Sequence, residues 1–175
     1  MARNIEIKAR VDDMPRLAAR VAALAGSGPV EIEQDDTFFV CAAGRLKLRA
    51  FSSTEGELIF YQRADQPGPK ESFYVRTPTQ TPDLMRHTLT LAYGQAGRVT
   101  KHRTLYLVDR TRVHLDQVEG LGNFMELEVV LQADESLEAG VAEAQSLMTR
   151  LGIQPSELVD AAYVDLMAHR TCALA

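Results

Sequence analysis

Five stretches of the chain alternate between apolar and charged or polar residues with a period of two. They are Asn4-Ile5-Glu6-Ile7-Lys8-Ala9-Arg10, Arg45-Leu46-Lys47-Leu48-Arg49, Tyr61-Gln62-Arg63, Arg112-Val113-His114-Leu115-Asp116 and Glu126-Leu127-Glu128-Val129. Side chains alternate across a β-strand, so each stretch predicts a strand with one apolar and one ionic face. Further strands are expected at about 34–40, 72–76 and 98–107, with 45–51, 57–63, 111–118 and 124–131 extending four of the alternating stretches. Ser52-Ser53-Thr54-Glu55-Gly56 reads as a hairpin loop and Gln66-Pro67-Gly68-Pro69 as an irregular one.

Helical periodicity interrupts the strands four times. Asp12-Asp13-Met14-Pro15 supplies cap residues and a first-turn proline before Leu17, Val21 and Leu24, and Gly26 ends that helix. Thr81-Pro82-Asp83 opens a second helix to about Tyr93. Ser136 starts a third that stops at Gly152, and Pro155-Ser156-Glu157 is expected to open a fourth through about His169. About eight mostly consecutive strands and four helices predict an α+β fold built on an antiparallel sheet. Most charged strand faces point to water. If this sheet closes on itself, however, the ionic faces turn inward and helices cover Ile5, Ile7, Leu46, Leu48, Val113, Leu115, Leu127 and Val129.

The charges are sorted along the chain. Arg and Lys gather in the middle stretches, whereas Glu residues sit in the first and last. A row of cations suits a polyanion, and clustered carboxylates suit Mg²⁺ or Mn²⁺. With 175 residues, 46% of them hydrophobic, the chain supports one domain over 1–175. Its net charge of −5 and pI near 5.4 argue against a nucleic-acid partner. Cys41 and Cys172 have no metal-ligand spacing, which points to a reducing cytoplasm, and no stretch approaches the roughly 20 apolar residues of a membrane span.

Taken in order, several segments resemble the CYTH proteins, also called triphosphate tunnel metalloenzymes. They are Ile5-Glu6-Ile7-Lys8, Gln34-Asp35-Asp36-Thr37-Phe38-Phe39, Arg45 to Arg49, Leu58 to Arg63, Lys101-His102-Arg103, Arg112 to Gly122, Phe124 to Glu128 and Ala162 to Met167. The Leu-Asp-x-Val-Glu-Gly-Leu-Gly run looks most like the class IV adenylyl cyclase branch.

The resemblance implies an eight-stranded antiparallel β-barrel with helices outside and a charged tunnel for a triphosphate and a divalent metal, Mg²⁺ or Mn²⁺. By position, Glu6, Glu126, Glu128 and Asp116 are the expected metal ligands. Lys8, Lys47, Arg49, Arg63, Lys101, Arg103 and Arg112 are expected on the triphosphate, with Lys8 and Arg112 catalytic. The implied partner is a small-molecule triphosphate, with no nucleic acid and no membrane, and a homodimer is left open. The implied reaction is ATP to cyclic AMP and pyrophosphate, with triphosphate hydrolysis or binding without turnover as alternatives. The family's first strand reads Glu-x-Glu-x-Lys, and this chain has Asn4 at the first position, one carboxylate fewer. For Asp116 a salt bridge inside the barrel is the second expectation, close behind the metal role. His114 reads as a hydrogen-bonding wall residue, and Arg45 and Arg110 as residues beside turns. Tyr163 reads as packing against the sheet. Lys70 and Ser72 border the Pro-Gly-Pro loop.

Overall fold

The computed structural model describes residues 2–63 and 68–173. Its strands are β1 (Ala2–Arg10), β2 (Ser27–Phe39), β3 (Arg45–Ala50), β4 (Gly56–Arg63), β5 (Lys70–Thr79), β6 (Gln95–Val108), β7 (Thr111–Val118) and β8 (Gly122–Val130). They close into a barrel in the order β1-β5-β4-β3-β2-β6-β7-β8, with every neighbouring pair antiparallel. Hairpins join β3 to β4, β6 to β7 and β7 to β8. The β1–β8 pairing, with Glu6 opposite Glu128 and Lys8 opposite Glu126, shuts the ring.

Helices α1 (Met14–Leu24) and α3 (Leu137–Leu151) lie outside the barrel. The Asp13 side chain accepts from Arg16 N at 3.0 Å to cap α1, and Ser136 accepts from Ala139 N at 3.3 Å to cap α3. The main core forms beneath them, where Ile5, Ile7, Val113, Leu115, Leu127 and Val129 meet Leu17, Val21, Ala144, Leu147 and Leu151. Burying this apolar face is the main stabilisation of the barrel. At Gly140 of α3 a Cβ would stand 2.5 Å from Leu131 Cδ2 and 2.8 Å from Ile5 Cγ1, so only glycine lets the helix rest this close to the sheet. Leu48 is fully buried on the outer face, paired with Thr37, which Arg86 of α2 (Pro82–Tyr93) contacts. Leu46 is only half-buried, a weaker burial than its parity predicts.

Two expectations need correcting. Strand β2 begins at Ser27, seven residues before Gln34, and its early half is largely exposed while pairing with β6. The last helix does not begin at Pro155. Residues Pro155–Glu157 make a single 3₁₀ turn, the chain then runs extended past β1, and α4 spans Tyr163–Ala173. The Gln66–Pro69 loop expected from the sequence falls partly outside the described residues.

Candidate functional site

The closed barrel turns the ionic face of each alternating strand inward. Asn4, Glu6 and Lys8 of β1, Lys47 and Arg49 of β3, Arg63 of β4, Lys101 and Arg103 of β6, Arg112 and His114 of β7, and Glu126 and Glu128 of β8 all line one interior cavity of about 300 Å³. The alternate residues of the same strands build the outer core. Period-two alternation therefore makes wall and tunnel at once.

One end of the tunnel is crossed by the chain that leads into α4. Val159 N donates to Lys8 O at 2.9 Å, Lys8 Nζ to Ala161 O at 3.0 Å, and Lys70 Nζ to Asp160 O at 3.2 Å. Tyr163 follows, 5% exposed, with Phe38, Val99, Val118, Phe124 and Val164 in a second apolar cluster. Away from this plug the lining includes Ile32, Phe51 and Leu105.

On one wall the carboxylate is Asp36. It accepts from Arg49 Nε at 2.7 Å and Nη2 at 2.8 Å, from Lys47 Nζ at 2.8 Å and from Lys101 Nζ at 3.3 Å. Burial alone pushes its carboxyl up, but Arg49, Lys101 and Lys47 overcome this and hold it well below the usual carboxylate range. Around it three cations crowd together. Burial and then the Arg49 charge pull Lys47 down to about 7 against the attraction of Asp36, and burial also lowers Lys101.

On the other wall lie the carboxylates of β1 and β8. Glu126 is approached by Lys8 at 3.4 Å and by Arg103 Nη2 at 2.5 Å; burial raises its carboxyl, and Lys8 and Arg103 more than offset it. Glu128 accepts from Arg112 Nε at 2.9 Å, and Arg112 also reaches the Tyr74 hydroxyl at 3.3 Å. Glu6 pairs with Arg63, yet burial, reinforced by Glu126 and Glu128, leaves its carboxyl raised. His114 is 5% exposed and held well below the usual imidazole range, first by burial and then by Arg103, so it is neutral and able to offer a lone pair.

The donor set fits a divalent cation. Ligand atoms of His114, Glu126 and Glu128 all lie within 4.8 Å of one another. His114 Nδ1 and Asn4 Oδ1 are buried without a hydrogen-bond partner, an arrangement that normally costs energy and that a bound ion would relieve. Carboxylate oxygens suit Mg²⁺ or Mn²⁺, and an imidazole nitrogen moves the preference toward the transition metal.

Asp116 is held differently. It is fully buried, takes Arg103 Nε and Nη2 at 2.6 Å each and the Tyr163 hydroxyl at 2.9 Å, and is not among the residues lining the cavity. Its contacts are those of a salt bridge inside the barrel. Arg45 pairs with Asp165 of α4 at 2.7 Å, and Arg110 binds Glu135 and Glu143 outside the barrel. Sequence reasoning gave Asp36 no role. Its signal was parity, since Gln34, Asp36 and Phe38 share one strand face and all line the cavity.

The chain belongs to the CYTH domain family, whose model matches residues 2–163. Among individual proteins, it is 25% identical over 167 residues to adenylate cyclase CyaB of Aeromonas hydrophila, covering 91% of this chain and 86% of that protein. The PH1012 protein of Pyrococcus horikoshii shares the fold with a TM-score of 0.82 at 22% identity, over 93% of this chain and 98% of its own. A Hippeastrum protein described as having a dominant triphosphatase activity aligns with a TM-score of 0.64 at 15% identity, over 98% and 96% of the two chains.

Proposed function

We propose that this chain is a divalent-metal-dependent enzyme that binds a triphosphate in the tunnel and converts ATP to cyclic AMP and pyrophosphate. One observation carries the reading: the interior cavity of the barrel has a cationic wall of Lys47, Arg49 and Lys101 on one side and the His114–Glu126–Glu128 cluster on the other. A triphosphate needs cations along its oxygens and a metal to neutralise their charge; the first wall offers the cations and the second offers candidate ligands for the metal. The similarity to a protein named adenylate cyclase supports cyclisation in particular.

In this reading Glu126, Glu128 and His114 hold the metal, with Glu6 beside them and Asn4 offering a carbonyl oxygen. Asp116 orients Arg103 from behind. A bound Mg²⁺ or Mn²⁺ would neutralise phosphate charge and polarise the phosphorus under attack. Arg49, Arg63 and Arg103 fork onto phosphate oxygens, and Lys47 and Lys101 add compact charge. The ribose 3′-hydroxyl oxygen bonds to the α-phosphorus as the bond to the β-phosphate oxygen breaks, and the hydroxyl proton ends on the departing pyrophosphate. Lys8 and Arg112 stabilise the charge that develops on the pentavalent centre and on departing pyrophosphate. The plug and the barrel wall keep bulk water from competing with the hydroxyl.

Hydrolysis is the second reading, favoured by the fold neighbour with dominant triphosphatase activity. It uses the same residues, with water in place of the hydroxyl. The net negative charge supports a small-molecule substrate over nucleic acid, and the free thiol of Cys41 accords with a cytoplasmic setting. None of the described helices is long and apolar enough to cross a membrane.

Incubating the protein with ATP, and separately with tripolyphosphate, in Mg²⁺ or Mn²⁺ tests the proposal. Cyclic AMP with pyrophosphate supports cyclisation. Orthophosphate from either substrate replaces it with hydrolysis, and no product overturns both.

A further inference from the structure

Tyr163 is the first residue of α4, and its side chain enters the tunnel from the plug. Its ring lies 4.0 Å from Lys8 Nζ and 5.4 Å from Lys101 Nζ, measured to the centroid, and packs edge-on against Phe124 at 5.0 Å. Its hydroxyl donates to Asp116 Oδ2 at 2.9 Å. Asp116 grips Arg103 with two bonds of 2.6 Å, and the same Arg103 Nη2 reaches Glu126 Oε2 at 2.5 Å. The side chain thus has two separate outlets: an aromatic face turned to Lys101 of the cationic wall and Lys8 of the carboxylate wall, and a hydroxyl at the head of a chain ending on Glu126.

Packing alone does not require this chemistry. An apolar residue would fill the cluster of Phe38, Val99, Val118, Phe124 and Val164 without burying a hydroxyl. The start of α4 is also pinned. A Cβ on Gly97 would stand 2.5 Å from Val164 Cγ2, so β6 has a glycine where the helix touches it, and Asp165 is bound by Arg45. The barrel therefore fixes the start of the helix, and with it the ring, at two points.

We propose that Tyr163 is a positioning residue of the tunnel: its ring aligns Lys8 and Lys101 for phosphate, and its hydroxyl, through Asp116 and Arg103, aligns Glu126 for the metal. This rests on the reading of the tunnel as a metal–triphosphate site. Ammonium groups over an aromatic face are attracted to it and lose freedom, which presents them to an incoming anion in one place. Partners behind a metal ligand set its orientation and basicity, and losing one weakens the metal roughly tenfold or more.

The two outlets can be separated. Tyr163→Phe keeps the ring and removes the hydroxyl, and Tyr163→Leu removes both. Calorimetric titration of each full-length protein with tripolyphosphate in the absence of metal reads the lysines, and titration with Mn²⁺ alone reads the carboxylate. For Tyr163→Phe we expect Mn²⁺ affinity lowered roughly tenfold and tripolyphosphate affinity lowered by clearly less, because Arg103 is the one phosphate contact the hydroxyl reaches while both lysines keep the ring. For Tyr163→Leu both should fall. Thermal melting identifies folded protein, so a variant that melts early is titrated below its transition and judged by the same ratios. If both variants bind both ligands as wild type does and differ only in melting temperature, Tyr163 is a packing residue and the proposal fails. If Tyr163→Phe loses both affinities equally, the division of labour fails. If wild type itself binds neither ligand, the tunnel reading falls and this inference with it.

Discussion

Arg49 holds Asp36 by two parallel hydrogen bonds of 2.7 and 2.8 Å on the inner wall of the barrel, with 1% of the Asp36 side chain exposed. Asp36 is the anion that lets Lys47, Arg49 and Lys101 share one wall when no phosphate is bound. Removing its charge leaves three cations facing one another in a poorly solvated space. Asp36→Asn should therefore destabilise the empty protein by about 3 kcal/mol, the usual cost of breaking a buried pair. Saturating tripolyphosphate should recover more stability in the variant than in wild type, because it supplies the missing charge. Thermal melts with and without tripolyphosphate check this; equal ligand-induced shifts would contradict it.

Lys47 gives the site a pH signature. Its folded pKa of about 7 lies far below the ordinary lysine value, since burial and Arg49 disfavour its charged form. The unfolded chain then binds a proton that the empty folded chain does not. This group thus makes the fold more stable as pH rises above about 7 toward the lysine range, and less stable as pH falls from that range to about 7, below which both states carry the proton and its contribution is constant. A triphosphate favours the charged form, so its binding at about pH 8 should take up on the order of one proton. Calorimetry in two buffers of different ionisation heat measures the uptake. Lys47→Met should abolish it, and a heat independent of buffer in wild type would show that Lys47 already carries its proton.

Glu126 and Glu128 differ in what they hold besides the proposed metal. Glu126 neutralises Lys8 and Arg103 in the buried centre, whereas Glu128 is partly exposed and pairs with Arg112. Both Glu126→Gln and Glu128→Gln should lose metal-dependent turnover. Only Glu126→Gln should also lose stability, by about 3 kcal/mol, because buried Lys8 loses its ion-pair partner and Arg103 one of its two carboxylates. Turnover assays and denaturant melts on both variants separate the effects, and full activity in either would remove that residue from the ligand set.

The two faces of the barrel were legible in the sequence because alternation is a local property. Residues 4–10, 45–49 and 126–129 state their parity within a few positions, and closure only decides which face is inside. What stayed hidden depends on register between distant strands. Nothing local says that Asp116 stands opposite Arg103, or that Asp36 faces Lys101 across β2 and β6. An acidic doublet such as Asp35-Asp36 reads as a solvated strand end until its neighbours are known. Residues 27–33 escaped because an exposed strand edge carries no alternation of burial, and Pro155-Ser156-Glu157 imitates a helix start that ends after one turn.

Asn4 is the clearest departure from the family pattern. It is 3% exposed, lines the tunnel and leaves Oδ1 without a partner, close in sequence and on the same face as Glu6. With one anion fewer, the empty protein should hold Mn²⁺ weakly and complete the shell with phosphate oxygens, so metal and triphosphate should raise each other's affinity by the same factor. Asn4→Glu should tighten Mn²⁺ binding without substrate and shrink that factor. Titrations of wild type and variant, with and without a non-hydrolysable triphosphate, read both quantities; equal Mn²⁺ affinity in the two proteins would remove Asn4 from the metal's surroundings.

The central claim is that metal and triphosphate meet inside the barrel, between the Asp36 wall and the Glu126 wall. A crystal grown with Mn²⁺ and a non-hydrolysable ATP analogue, recorded at a wavelength where manganese scatters anomalously, locates both. An anomalous peak is expected within bonding distance of Glu126, Glu128 and His114, with phosphate oxygens reaching Lys47, Arg49 and Lys101. Manganese or phosphate bound only outside the tunnel would contradict it.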